Sequence, residues 1–487
     1  MSPLRKLASQ TAVYGLSTIF GRFLNYLLVP LHTRVFDTDE YGVVSELYAY
    51  ISFFLVVLTY GMETAFFRFS QDEEKKDKVF PTAFVSVSIS SVVFMLGMGV
   101  FAQPIANVIR YPNHPEYIVI FSLILGFDAM ASIPFALLRQ QGRPTKFAIV
   151  KNINIISNII LNIYFLMLCP YMQHKSNISL PFYDATIGVG YVFISNLAAS
   201  IITLPLLSKE ILWMKKGFDP TLWRKMIAYG LPLLIVGLGG MVNETLDRAI
   251  MKYLLPAGKG TLSQVGIYGA NYKLSILMSL FIQAFRFAAE PFFFSHAKTL
   301  DKKTIYARVM DYFVIVCLGI FLFVTLCIDL FKHFIGEQFY EGLKVVPILL
   351  LANLFLGVYY NLSIWYKLSD QTSKGAIISL IGAGITIGLN IWWIPVFGYV
   401  GSAWATFLCY FSMMLICYVM GMKYYPIPYH IRHILSFTGI ALILFFAGWF
   451  CRNIFSTGNL MRTLSINSAL FLIFIAAAGL FIRQDRI

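Results

Sequence analysis

Apolar stretches of bilayer length recur along the whole chain, each followed by a short charged break. No other feature constrains the fold as strongly. A hydrocarbon core of ~30 Å is crossed by about 20 helical residues. Windows of that kind run at 8–32, 41–67, 79–103, 117–138, 145–168 and 186–207, then at 224–247, 264–290, 307–330, 342–366, 375–394 and 399–422, and finally at 433–450 and 464–482. The fold class that follows is an all-α polytopic membrane protein of about 14 transmembrane helices. Composition agrees: mean hydropathy is +0.72, and 13% of residues are charged, against about 25% in soluble domains. The net charge of +14 would suggest nucleic acid in a soluble chain. Here the positive-inside rule and anionic headgroups account for it, and no nucleic-acid partner is expected. Six cysteines (Cys169, Cys317, Cys327, Cys409, Cys417, Cys451) lie mostly inside apolar spans with no CxxC pair, and read as small hydrophobes. The N-terminus shows no short apolar region with a cleavage site, so the first span is expected to stay in the mature protein.

Orientation follows from lysine and arginine. Of 38 such residues, the N-terminus and even-numbered breaks carry 24 and the odd-numbered breaks nine. That bias places both termini of a multi-pass protein in the cytoplasm. The longest break, 208–225, holds Trp213, Lys215, Lys216 and Trp223 around Asp219-Pro220 and reads as an interfacial linker. It separates two six-helix sets that look like copies. Arg139…Lys146…Leu161-Asn162-Ile163 matches Lys367…Lys374…Leu389-Asn390-Ile391 at one constant offset, and Tyr41-Gly42 matches Val265-Gly266 as helix openings. The expected organisation is therefore a bundle at 1–217, a second at 218–423 and two additional helices at 424–487. Repeats of like orientation imply a cavity between two bundles, with substrate near the midplane.

Polar residues inside the spans mark the candidate site. The first span carries Thr11, Gly15, Thr18, Arg22 and Asn25 on one face. An arginine near mid-membrane costs roughly 2.5–3.5 kcal/mol on the insertion scale, so it either serves function or pairs with an acid. Helix 5 presents Lys151, Asn154, Asn158 and Asn162, one turn apart; the copies of these positions are Ser379, Gly382, Thr386 and Asn390. Helix 8 presents Tyr272, Ser275, Ser279, Gln283, Arg286 and Glu290. Arg22, Lys151 and Arg286 suit a phosphorylated headgroup, because guanidinium grips phosphate oxygens through paired hydrogen bonds and lysine adds a point charge. Thr18, Asn25, Asn154, Asn158, Asn162, Ser279 and Gln283 are the candidates to face sugars. Glu46, Asp128, Glu244 and Glu290 are candidates for ion coupling or for structural pairing. Asp128 lies at about the depth of Arg22 (~15 Å at 1.5 Å per residue), so an Arg22–Asp128 pair is the competing reading of both. Glu63 near Arg68, and Glu290 one turn from Arg286, suggest local pairs.

Some chemistry is missing. Gly258-Lys259-Gly260-Thr261 lacks the upstream glycine of a phosphate loop, so ATP hydrolysis is not expected. His430 and His433, three apart at a helix boundary, read as solvated or headgroup-facing, and no metal cluster or cofactor is expected. No long outer loop carries paired acids and bases. An enzyme reading is poor, and a transporter reading remains.

Phe36-Asp37-Thr38-Asp39-Glu40-Tyr41-Gly42 resembles the acidic EYG motif that opens helix 2 of polysaccharide (O-antigen type) flippases. Gly142…Lys146-Phe147 resembles their next cytoplasmic turn. Leu389-Asn390…Ile394-Pro395…Gly398…Gly401-Ser402-Ala403…Ala405-Thr406 resembles a run shared across the multidrug/oligosaccharidyl-lipid/polysaccharide exporter superfamily. An arginine within helix 1 is similar to the lipid II flippases, and Arg22 is the residue that matches. The resemblance implies a pair of six-helix bundles that moves undecaprenyl-diphosphate-linked oligosaccharide from the cytoplasmic to the periplasmic leaflet, with basic residues facing the lumen. Expected partners are that lipid-linked substrate, membrane lipids, and a polysaccharide polymerase or ligase. The alternative is a cation-coupled multidrug antiporter on the same fold, which often places an acid in helix 1; this helix has none.

Overall fold

The computed structural model describes residues 19–71, 76–176, 178, 180–212, 217–256, 258, 260–295, 301–369, 371–455 and 460–484, and among them there are helices and connecting segments but no strand. In lipid every backbone N–H and C=O must bond within its own segment, and an apolar helix meets that demand alone. Among the described residues, eleven helices are long and apolar enough to cross a membrane, from Thr38–Phe69 to Thr463–Phe481, and up to 12 if one bent pair is a single span. The apolar helix Gly190–Leu206 is shorter. The first apolar stretch is described from residue 19 onward, as a helix at 19–26, a turn at 27–28 and the helix Val29–Val35. Its earlier part, with Thr18, lies outside the described residues.

Helix starts follow local chemistry. Proline opens Pro115–Gln140 and Pro144–Ile163, where its missing N–H has no bonding duty. Asp219 precedes Pro220–Leu254, and its Oδ1 accepts from Thr221 N at 3.0 Å and Leu222 N at 3.1 Å. With Lys78 adding its charge, the Leu222 N–H foremost holds the Asp219 carboxyl below its ordinary range.

The stretch 264–290, expected as one helix, is two. Thr261–Leu274 and Ile276–Ala289 meet at 51°. Ser275 sits in the break and its Oγ donates to Tyr272 O at 2.7 Å, the back-bonding that bends helices. The polar stripe read along this stretch is therefore split, with Tyr272 before the bend and Ser279, Gln283 and Arg286 after it.

Chain contacts divide the protein into two compact units. Unit 1 comprises Met1–Phe36 and Val43–Ala249, and unit 2 comprises Asp37–Gly42 and Ile250–Ile487. In unit 1, Met62, Phe66, Phe80, Ile133 and Met226 gather the Thr38, Lys76, Pro115 and Pro220 helices around one apolar core. In unit 2 the Lys302–Leu326 helix is the central post, 67% buried along its apolar window. The short segment Asp37–Gly42 belongs to unit 2 because two glycines allow the backbones to touch. A Cβ on Gly266 would lie 2.0 Å from Thr38 O, and one on Gly42 would lie 2.1 Å from Leu262 O. Thr38 and Ser263 hydroxyls bond at 2.7 Å beside that contact. The six cysteines are free thiols, four of them buried.

Candidate functional site

The Pro144–Ile163 helix carries the polar stripe with the spacing expected. Its four side chains run from open to closed: Lys151 is exposed, Asn154 and Asn158 are half-buried, and Asn162 is fully buried. The stripe is anchored from its buried end. His32 Nε2 meets Asn162 Oδ1 at 2.9 Å, while Asn162 Nδ2 donates to Asn158 O at 2.8 Å and Asn158 Oδ1 at 3.0 Å. Asn154 Nδ2 donates to Thr203 Oγ1 of the Gly190–Leu206 helix at 2.9 Å. Just past the stripe the helix loosens into the π-turn Tyr164–Leu168, a departure common at functional positions.

At the open end, the Lys151 ammonium rests 4.2 Å from the centroid of the Phe135 ring. No carboxylate among the described residues pairs with it, although Asp128 and Glu63 are near enough to act on it through space, opposed by Arg139. Asp128 Oδ1 instead accepts from Ser200 Oγ at 2.8 Å. Nearby, Asn196 Nδ2 donates to Tyr48 OH at 3.0 Å.

Arg22 is exposed, and it makes no ion pair among the described residues; the Arg22–Asp128 pair is not formed. Residues of a helix follow one another at about 100°. Arg22, Asn25 and Tyr26 therefore share one side, and the exposed apolar residues Phe20, Phe23 and Leu27 fall on the other. Gly21, adjacent to the polar side, packs against Ile155 of the stripe helix. The apolar side is the one suited to acyl chains, and Arg22 is turned away from it.

The acids find other partners. Glu46 is fully buried and accepts from Tyr50 OH at 2.8 Å and Tyr111 OH at 2.6 Å. Glu244 is exposed, and its carbonyl accepts from Arg248. Glu63 pairs with Arg139 and not with Arg68, because the Pro115 helix brings Arg139 across while Arg68 turns over the Tyr229 ring at 5.1 Å. Glu210, also buried, takes both Arg143 at 2.9 Å and Lys146 at 2.5 Å. Arg139, Arg143 and Lys146 are thus paired with acids, whereas among the described residues Arg22 and Lys151 are not.

In unit 2, Arg286 is half-buried, and its guanidinium carbon lies 4.0 Å from the Tyr360 centroid. The pair suggested with Glu290 falls on a side chain outside the described residues. Ser279 Oγ donates to Asn353 Oδ1 at 3.4 Å, and Gln283 is half-buried on the same helix. The residues missed from sequence are His32, Tyr48, Tyr111, Ser200 and Asn353. Each is a single polar residue without a repeating pattern, and its partner stands far along the chain.

The sequence family described as polysaccharide biosynthesis protein matches residues 7–297. A Haemophilus influenzae protein named for the Lsg locus is 20% identical over 414 residues, 82% of this chain and 95% of that protein. Among solved structures, the lipid II flippase MurJ in an inward closed conformation superposes with a TM-score of 0.73 at 17% identity, covering 98% of this chain and 100% of that one. An inward-facing multidrug resistance MATE family transporter of the MOP superfamily gives 0.63 at 13% identity, over 85% and 97% of the two chains. At such identities the structural likeness speaks for the fold.

Proposed function

The chain belongs to the polysaccharide biosynthesis protein family, whose fold relatives are transporters and flippases and not enzymes, and we propose that it flips undecaprenyl-diphosphate-linked oligosaccharide. The headgroup crosses from the cytoplasmic to the periplasmic leaflet of a bacterial inner membrane by alternating access, for O-antigen or related lipopolysaccharide assembly. Both termini lie in the cytoplasm, the fold completes 14 spans as two repeats of six plus two, and a polymerase or ligase takes the product.

One observation carries this reading: an exposed lysine in an apolar helix that pairs with no carboxylate among the described residues, at the head of a row of three asparagines. A buried or paired lysine would be structural. This one offers its charge to something that is not protein, and a diphosphate satisfies it. Asp128, held by a neutral hydroxyl, is near enough to act on Lys151 through space without pairing with it. Arg22 adds a planar donor from the adjoining helix, and Arg286 offers a further cation within unit 2. The asparagines Asn154 and Asn158 stay half-open and meet sugar hydroxyls. One negative charge moved outward across 100 mV gains about 2.3 kcal/mol in a cell negative inside.

The test is complementation of a flippase-deficient strain with wild type, Arg22→Ala and Lys151→Ala at matched membrane levels. Surface polysaccharide should fall sharply in both variants. Full polysaccharide from both would end the headgroup reading. A cation-coupled antiporter is favoured by one feature, the buried carboxylate of Glu46, which accepts from the Tyr50 and Tyr111 hydroxyls. On that reading Glu46→Gln abolishes transport while Lys151→Ala spares it.

A further inference from the structure

We propose that Asp311, His430 and His433 form a binding site for a divalent transition-metal ion of the zinc class, within unit 2 and apart from the polar stripes. Asp311 stands more than a hundred residues before the two histidines in sequence, and the fold brings one donor atom of each within 4.8 Å of the others. Asp311 lies in the Lys302–Leu326 helix and is 4% exposed, so its carboxylate is desolvated and held by the helix. His430 immediately precedes the Ile431–Phe455 helix, and its Nδ1 meets Asp311 Oδ2 at 2.6 Å. His433 stands one turn on, on the same side of that helix. Its ring centroid lies 5.3 Å from that of His430 and 5.1 Å from that of Phe481.

An acid and one histidine already satisfy each other as a hydrogen-bonded pair. The second histidine is the feature such a pair does not require. Two imidazoles and one carboxylate are the donor set of three-ligand zinc, cobalt and nickel sites, with water in the remaining position. Around a tetrahedral ion the donor atoms stand about 3.4 Å apart. Asp311 and His430 must part by a little under 1 Å, and His433 must close in by at most about 1.4 Å. Rotation of the two histidine side chains, both open to solvent, supplies this while the buried acid stays in place. The same openness gives the ion its path.

The site's position assigns it a role. The Ile431 and Leu460 helices bury only 22% and 17% of their apolar windows, against 67% for the Lys302 helix on which they pack. At the far end of this group a polar clasp is already made: Arg452 Nε meets Asp329 at 3.1 Å, and Asn467 Nδ2 donates to Leu326 O at 2.7 Å. The metal is the matching clasp at the near end. It ties the start of the Ile431 helix to the central post and, through Phe481 against His433, steadies the Leu460–Gln484 helix.

The test uses tag-free, full-length protein in detergent, stripped with a chelator and dialysed. Zinc binding is titrated calorimetrically, and cobalt is added as a visible-absorbing stand-in. Wild type should take up one ion per chain, show the cobalt absorption of a low-symmetry nitrogen/oxygen site, and melt at higher temperature with zinc than without. His433→Gln leaves the Asp311–His430 pair intact. It should weaken binding by ~10–100-fold or more, abolish the cobalt signal and lose the zinc-dependent rise in melting temperature. His433→Cys, which restores a metal donor, should recover binding. If wild type takes up no ion, or His433→Gln binds as tightly as wild type, the cluster is an ion pair only and the proposal fails. Elution of each variant at the wild-type volume on size exclusion confirms that it is folded.

Discussion

The Pro144 and Thr372 helices occupy matching places in the two halves of the sequence, and they use the same four positions in opposite ways. Lys151, Asn154 and Asn158 stay open or half-open, and only Asn162 is closed. Their counterparts run from a half-buried Ser379 to Gly382, Thr386 and Asn390, all buried. On the first helix the polar groups reach outward to Thr203 and His32. On the second, Asn390 donates to the carbonyl of its own Thr386 at 2.8 Å, and Gly382 O accepts from the Cys409 thiol at 3.4 Å. One pattern thus stands mostly open or half-open on the first helix and is mostly packed away on the second. Lysine decides between them, because an ammonium has to keep water or an anion within reach, whereas glycine and threonine accept close packing.

The largest expected effect tests that assignment. Lys151→Ala should lower polysaccharide export by ~10–100-fold, the weight of one charge-assisted contact of roughly 1.5–3 kcal/mol. Ser379→Ala should leave export within about twofold, since it removes no charge and lies on the stripe that is mostly packed away. The double exchange Lys151→Ser with Ser379→Lys should not restore export in the complementation assay. If it does, or if the two alanine variants behave alike, the halves are equivalent and the contrast collapses.

Stability measurements sharpen it next. Asn162→Leu strips the carbonyl from buried His32 and should cost about 1–3 kcal/mol, read as a lowered melting temperature in detergent. Asn390→Leu removes a bond inside one helix and should cost less, about 0.5–1.5 kcal/mol. A larger loss at Asn390 would reverse the order argued from their partners.

The smallest effect concerns acid. Asp219 has its carboxyl held low, chiefly by the Leu222 N–H, and neither the Pro144 nor the Thr372 helix has a side-chain cap. The folded value lies below the unfolded one. The stabilisation is therefore complete above the ordinary carboxylate range and disappears as pH falls through the folded value. Asp219→Asn should flatten that acid limb of the melting-temperature profile while leaving the neutral region almost unchanged. An unaltered acid limb would place its origin elsewhere.

Helical spacing was the legible part: Lys151, Asn154, Asn158 and Asn162 fall one turn apart on a single helix. Pairing was not. Glu63 turned from its neighbour Arg68 to Arg139, Glu46 gained Tyr111 from 65 residues away, and Asp311 met His430 across 119. The bend at Ser275 also escaped, since hydropathy runs through it without a break.

Sequence alone determined that this chain lives in lipid, where its long helices run, and on which face of the fifth span a charge would stand. Those follow from the solvent and from a helical period, both of which act within a few turns of the backbone. Tertiary structure decided which charges were neutralised, which copy of the stripe was sealed, and that two histidines would find an acid. Such matters depend on which helix lies beside which, and packing between segments far apart in the chain leaves no local periodic trace in the sequence.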